Sequence, residues 1–304
     1  MIHEELDLSR WERLFSLDEL RSAAEEFVQE QRNAVPAEYP NQAAVDRHVA
    51  LMYPEGERIT GPYDIAVVEQ LRKEVFGSTL PDSRIATDIF VFNLGEPPQR
   101  NITKVGGLPY RHAQTPWPSL SNGVPLTFVG QFCFTDSHDI VGELPGEILL
   151  VFADEDGLWN DEVTNIHVEW ITSEITDLVC AEDIPETGWQ IDACYGSIHR
   201  TYDCQGVEAR FAQYQAPYLI PILEGTKIGG VPRWIQPPVD LPGRFLCALG
   251  SIDPQPYANH SFPFINVPEP MAQSGGNYLM WGDAGSLYMS IDAVGTVFSA
   301  LQSY

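Results

Sequence analysis

Seven residues occur twice in this chain of 304. Thr103-Lys104-Val105-Gly106-Gly107-Leu108-Pro109 returns as Thr226-Lys227-Ile228-Gly229-Gly230-Val231-Pro232, with only aliphatic exchanges. The segments C-terminal to the two copies also keep one order. After the first copy come a Pro/Gly-rich loop, then Leu126 to Phe132, then Gly146 to Phe152. After the second come a Pro-rich loop, then Arg244 to Leu249, then Gly285 to Ile291. An internal duplication constrains the fold more than any composition does, because both copies must adopt one supersecondary plan. The chain holds only three lysines, Lys73, Lys104 and Lys227, and two of them occupy the same place in the copies. Repeats of about 100–175 and 226–304, related by an approximate two-fold, are therefore expected.

The heptapeptide has a local reading. Glycine reaches positive φ at no steric cost, and proline two residues later fixes φ and stops a helix. The expected path is an extended approach, a sharp turn and a rigid exit. A phosphate loop needs Gly-x-x-x-x-Gly-Lys-Ser/Thr, and a dinucleotide loop needs Gly-x-Gly-x-x-Gly. Here the lysine precedes the glycines, so the turn reading is preferred.

The N-terminal 84 residues read differently. Ser16-Leu17-Asp18-Glu19 forms a capping box before an apolar face of Leu20, Ala24, Phe27 and Val28. A second helix is capped by Asn41 and a third opens near Pro62. His48, beside Val45 and Met52, reads as a half-buried structural residue. From residue 85 the period becomes strand-like, beginning with Ile85 to Phe92, and Ile166 to Ile171 alternates well. Residues 176–225 read as a connection with a short helix near 207–214. The loop 253–277 is rich in proline and glycine, and its length inside a compact domain suits a binding surface. The expected class is α+β: a strand-rich, internally duplicated core over 85–304 with a helical region over 1–84.

The ordered motifs Lys-x-Gly-Gly-x-Pro, Trp117-Pro118, Pro125 to Gln131, Leu144-Pro145-Gly146, Lys227 to Gly230, Ile235-Gln236 and Met280 to Gly285 resemble the YwqG-like family. That bacterial family has no known function. The resemblance covers about residues 85–304 and implies a strand-rich fold built by duplication. It transfers no catalytic residue. Where the second repeat is expected to carry a glutamine matching Gln131, this chain has Cys247-Ala248-Leu249.

Net charge is −26, from 43 acids against 17 bases. Nucleic acid and anionic membrane surfaces are excluded as partners by that balance, and a basic protein is the partner it suits. No apolar run approaches the ~18 residues of a membrane span. The acidic N-terminus lacks a signal-peptide pattern, so a cytoplasmic address is expected. The five cysteines, Cys133, Cys180, Cys194, Cys204 and Cys247, are scattered and odd in number, which suits reduced thiols. Cys194 and Cys204 are near enough in sequence to meet across a hairpin. No Cys-x-x-Cys is present, and neither a metal nor a cofactor is expected.

Candidate chemistry is sparse. Trp281-Gly282-Asp283-Ala284-Gly285 reads first as a tight turn, with Asp283 as a base or ligand second. Asp136-Ser137-His138-Asp139 reads as an exposed polar loop rather than a metal cluster or triad. Residues 154–162 are acidic but lack the end ligands of a calcium loop. The binding candidates are Lys104, Lys227, Asp283, Trp281, His112 and Gln131. Each lysine either anchors its own turn on a nearby acid, the preferred reading, or joins the other in one cleft for an acidic ligand. The function expected is a non-catalytic binding protein, such as an acidic inhibitor or immunity-type partner of a basic protein. The alternative is a hydrolase-like enzyme with a polar cleft between the repeats, using some of His112, Asp136, His138 and Asp283.

Overall fold

The computed structural model of the chain describes residues 84–154, 165–172, 174–204, 222–252 and 277–304. Ten strands form one sheet: β1 (Arg84–Leu94), β2 (Lys104–Val105), β3 (Thr127–Cys133), β4 (Ile148–Ala153), β5 (Ile166–Ile171), β6 (Cys194–Cys204), β7 (Lys227–Gly229), β8 (Arg244–Gly250), β9 (Ser286–Ile291) and β10 (Val297–Gln302). Every pairing is antiparallel. The spatial order is β10-β9-β8-β7-β1-β6-β2-β3-β4-β5. It is symmetric about the β1–β6 pair, with β2 to β5 on one side and β7 to β10 on the other. Each flank is joined to the strand that precedes the other flank in sequence. β1 pairs with β7, and β6 pairs with β2.

The expected α+β class is corrected by these strands. Among the described residues the architecture is all-β, with a single α-helix, α1 (His138–Val141), and two 3-10 turns, Thr135–Ser137 and Ala181–Asp183. The physical reason is that apolar residues from 84 onward alternate or run continuously along strands buried on one or both faces. The helices expected within 1–84 and over 207–214 lie outside the described residues, as does most of the 253–277 loop. The connection expected over 176–225 is also corrected, since β6 occupies its middle. Cys194 and Cys204 are the two ends of that strand. At about 3.3 Å per residue their backbones stand far apart along one strand, so no hairpin brings the two positions together.

The sheet curls on itself. One buried cluster draws on all ten strands, from Phe90, Phe92 and Val105 through Val129, Phe132, Leu149 and Cys194 to Ile228, Leu246, Leu287 and Met289, with Trp170 and Leu301 at its rim. Strands β3 and β8 are five steps apart in the order, about 24 Å on a flat sheet. Yet a Cβ placed on Gly130 would lie 3.6 Å from the Leu249 side chain. The result is a nearly closed, barrel-like sheet around one core. A second cluster, Leu126, Phe128, Ile148, Leu150 and Phe152, lies on the outer face of β3 and β4 beneath Tyr110, Trp117 and Leu120. Both flanks carry a bulge at the same point, between Phe128 and Gly130 in one and between Phe245 and Cys247 in the other.

The glycine turns are dictated by that packing. Gly106, Gly107, Gly229 and Gly230 all have φ between +62° and +73°. A side chain at Gly106 would strike the Ile191 carbonyl, and one at Gly229 would strike Ile140 of α1. Conformation and space both demand glycine at these points.

Candidate functional site

The two heptapeptides fold into the same ionic turn. Lys104 enters β2 fully buried and donates to Glu96 Oε2 at 2.9 Å. The other oxygen of Glu96 accepts the Leu108 amide at 2.8 Å. In the second copy Lys227 is also buried and donates to Asp203 Oδ2 at 2.6 Å, and the same oxygen accepts the Val231 amide at 2.9 Å. Each carboxylate therefore ties a lysine to the amide four residues beyond it and closes the glycine turn between them. Burial lowers the Lys104 pKa, and the Glu96 partner acts against that shift. Strands β6 and β1 stand between β2 and β7, so the lysines occupy separate places, each with its own acid.

Gln131 sits opposite Lys104 in the β2–β3 ladder. Its amide nitrogen donates to the carbonyls of Arg100 and Ile102, at 2.7 and 2.8 Å, and its oxygen accepts the Tyr110 amide at 2.8 Å. Ala248 holds the corresponding place opposite Lys227. Methyl cannot donate, and there Lys227 itself reaches the Leu223 and Val231 carbonyls at 2.8 and 2.6 Å.

The remaining candidates are dispersed. Trp281 is fully buried in the core, while Asp283 is exposed in the turn beyond it. That turn is held by backbone, with the Gly285 amide on the Trp281 carbonyl and Ala284 at φ 58°. His112 accepts the Gln114 amide at Nδ1 and bridges to Leu178. His138 is exposed and meets Glu147 at 2.9 Å, which raises its pKa. Among the described residues no hydrogen bond or ion pair joins any two of His112, Asp136, His138 and Asp283.

Two ionic chains were not foreseen from the sequence as connected sets. Buried Arg111 grips Glu169 with two bonds, of 2.6 and 2.9 Å, and donates to the Thr115 and Pro116 carbonyls. Its guanidinium lies 5.5 Å from the Trp117 ring centre and 5.8 Å from that of Phe152. Glu169 also meets His167 at 3.3 Å. Only the His-x-Glu spacing on one strand face was there to be read, since Arg111 lies 58 positions away. Elsewhere Arg200 binds buried Asp88 through Nε and Nη2, and reaches Asp139 at 2.6 Å. Ser137 donates to the same Asp88 at 2.6 Å. These bonds fasten the Asp136–Asp139 segment to β1 and β6, and Asp88 and Asp139 hold the Arg200 pKa above its ordinary value. Among the described residues no three His, Cys, Asp or Glu side chains are grouped to hold a metal ion.

Three of the cations are turned inward, each on a carboxylate. Lys104, Arg111 and Lys227 are buried, and the exposed bases among the described residues are Arg84, Arg200 and Arg244. Between Arg111 and Arg200 the sequence carries no lysine or arginine at all. Glu174, Asp177, Glu182, Asp183 and Glu186 of that stretch are all exposed. No helix among the described residues is long and apolar enough to cross a membrane. A family model described as a domain of unknown function (DUF1963) matches residues 103–294. No curated protein matches the chain.

Proposed function

We propose that this chain, which belongs to the DUF1963 family, is a non-catalytic binding protein whose acidic exterior docks a basic protein in the cytoplasm. The observation that carries this reading is the sorting of charge. Among the described residues Lys104, Arg111, Arg200 and Lys227 are engaged in internal ion pairs, while the stretch from residue 112 to 199 offers carboxylates and no lysine or arginine to a partner. Such a surface steers a cationic protein at long range and repels nucleic acid and anionic lipid. An acidic inhibitor or immunity-type role is the finer form of the proposal. Our placement of the chain among YwqG-like proteins rests on its ordered motifs. That its halves arose by duplication is likewise our reading, supported by the symmetric strand order and the matching bulges.

Affinity capture from native lysate at low and high salt tests the role. The expected result is one basic protein retained at low salt and released as ionic strength rises. Replacing Glu174, Asp177, Glu182, Asp183 and Glu186 with Gln or Asn abolishes that capture without lowering the melting temperature. Retention that ignores both salt and these substitutions overturns the proposal.

A further inference from the structure

The outer faces of the two flanks differ in how an arginine is neutralised. In the first flank Arg111 is matched by Glu169, which stands opposite Leu150 on β5. Tyr288 holds the place of Leu150 in the second flank, and the residue opposite it on β10 is Ala300. The carboxylate of the first flank is therefore a methyl group in the second. An arginine is nevertheless present there. Arg233 is half-buried and donates from Nη1 to the Trp234 carbonyl at 3.1 Å. Its Nε is buried without a hydrogen-bond partner, and among the described residues no carboxylate lies within ion-pair distance of the guanidinium.

We infer that Arg233 forms the base of a carboxylate-binding site on the outer face of the second flank. The surroundings are built rather than loose. The Tyr288 hydroxyl donates to the Arg233 carbonyl and fixes its backbone to β9. Trp234 packs on Tyr288 with ring centres 4.5 Å apart. Pro232 on one side and Pro237-Pro238 on the other limit the loop that carries the arginine. Tyr304 donates its hydroxyl to Glu224 at 2.9 Å nearby. Burial raises the pKa of both phenols, the Glu224 charge adds to the rise and the Arg233 charge opposes it.

The planar guanidinium fork matches a planar carboxylate in a way that an ammonium does not. Glu224 near the same tyrosines disfavours a second negative charge on the ligand. A monocarboxylate is thus preferred to phosphate or a polyacid, with Trp234 and Tyr288 offering an apolar flank to its chain. Two sources share this chemistry: a free small organic acid, and the terminal carboxylate of a peptide.

Calorimetric titration of the full chain with acetate, benzoate, N-acetyl-triglycine and the amide of that peptide tests the site. Saturable millimolar binding of the carboxylates, and none of the amide, is expected. A peptide acid at least ~10-fold tighter than acetate identifies a chain-terminus receptor, and equal affinities identify a small-acid receptor. Arg233→Gln weakens binding by at least ~10-fold, whereas Arg244→Gln, at an exposed arginine on β8, leaves it unchanged. Arg233→Lys keeps the charge and the fold but loses the fork, and it weakens binding in the same direction. In the wild-type chain the Trp234 indole resonance shifts on titration. Absence of saturable binding, equal losses in the Arg233 and Arg244 variants, or an unmoved Trp234 signal each overturns the inference.

Discussion

In the first flank Gln131 caps the carbonyls of Arg100 and Ile102, whereas in the second Lys227 itself caps those of Leu223 and Val231. The same glycine turn is held in both, yet the donors have been redistributed. Where glutamine is present the lysine serves, among the described residues, one acid, and that acid, Glu96, is 43% exposed. Where alanine replaces glutamine the lysine makes three bonds, and its acid, Asp203, is fully buried. The repeated sequence therefore keeps a geometry while moving the electrostatic load from the surface into the interior. The largest test of that difference is a pair of substitutions. Lys227→Ala leaves Asp203 buried and uncompensated, and is expected to cost about 3–5 kcal/mol. Lys104→Ala leaves Glu96 free to rehydrate and is expected to cost about 1–2 kcal/mol. Urea unfolding monitored by circular dichroism measures both, and equal losses would break the comparison.

Gln131 offers the next test. Gln131→Ala strands two carbonyls and the Tyr110 amide and leaves a cavity, for an expected loss of about 2–4 kcal/mol. The reciprocal Ala248→Gln brings a donor to the Leu223 carbonyl that Lys227 already serves and adds volume beside a filled site. It is expected to destabilise by about 1–3 kcal/mol rather than to stabilise. A stabilising Ala248→Gln would show that the second flank is an incomplete copy of the first, not an alternative solution.

The turns were legible in the sequence because they depend on local conformation. Four glycines at positive φ, placed before a proline, need no knowledge of the rest of the chain. Strands β1, β3, β4, β5, β8 and β9 were legible too, from their apolar periods. Strand β6 was not, because its sequence Cys-Tyr-Gly-Ser-Ile-His-Arg-Thr-Tyr-Asp-Cys carries polar side chains on both faces. Its neighbours explain why. Gly196 leaves room for the Phe90 ring, which would stand 2.7 Å from a Cβ there, while Arg200 and Asp203 are paired with distant Asp88 and Lys227. A strand at the centre of the sheet tolerates such residues only because partners from elsewhere complete it. The ionic chains were illegible for the same reason, as Arg111 with Glu169 and Arg200 with Asp88 are long-range pairs.

The glycines themselves separate the flanks less strongly. Gly106→Ala must push its methyl against the backbone carbonyl of Ile191, which cannot move independently. Gly229→Ala meets chiefly the side chain of Ile140, which can turn aside, with the Ala86 carbonyl next at 3.1 Å. Both carry the strain of positive φ, so each is expected to cost about 1–3 kcal/mol, with Gly106→Ala the larger. Ile140→Ala added to Gly229→Ala restores part of that loss, and no second-site truncation does the same for Gly106→Ala. Additive losses in the Ile140 double variant would mean that conformation alone sets the cost.

The smallest effect concerns pH and falls on the segment from Phe134 to Glu147, where α1 leans on the Gly229 turn. Two titrating contacts fasten it, with opposite signs. Glu147 raises the pKa of His138, so that pair stabilises below the ordinary imidazole value of about 6.5 and is lost as pH rises through the raised value. Arg200 lowers the pKa of Asp139, so that pair stabilises above the ordinary carboxylate value and is lost as pH falls through the lowered one. The segment is therefore held most firmly between about pH 4 and 6.5, where both pairs are charged. His138 is 45% exposed, so solvent screening keeps its share under about 1 kcal/mol. Amide hydrogen exchange over residues 138–147, corrected for intrinsic rates, should be slowest in that window. His138→Gln removes the decline in protection on its alkaline side, and Asp139→Asn removes the decline on its acidic side. Protection unchanged across pH in the wild-type chain would show that Asp88, Ser137 and the packing of Ile140 hold the segment without either titrating pair.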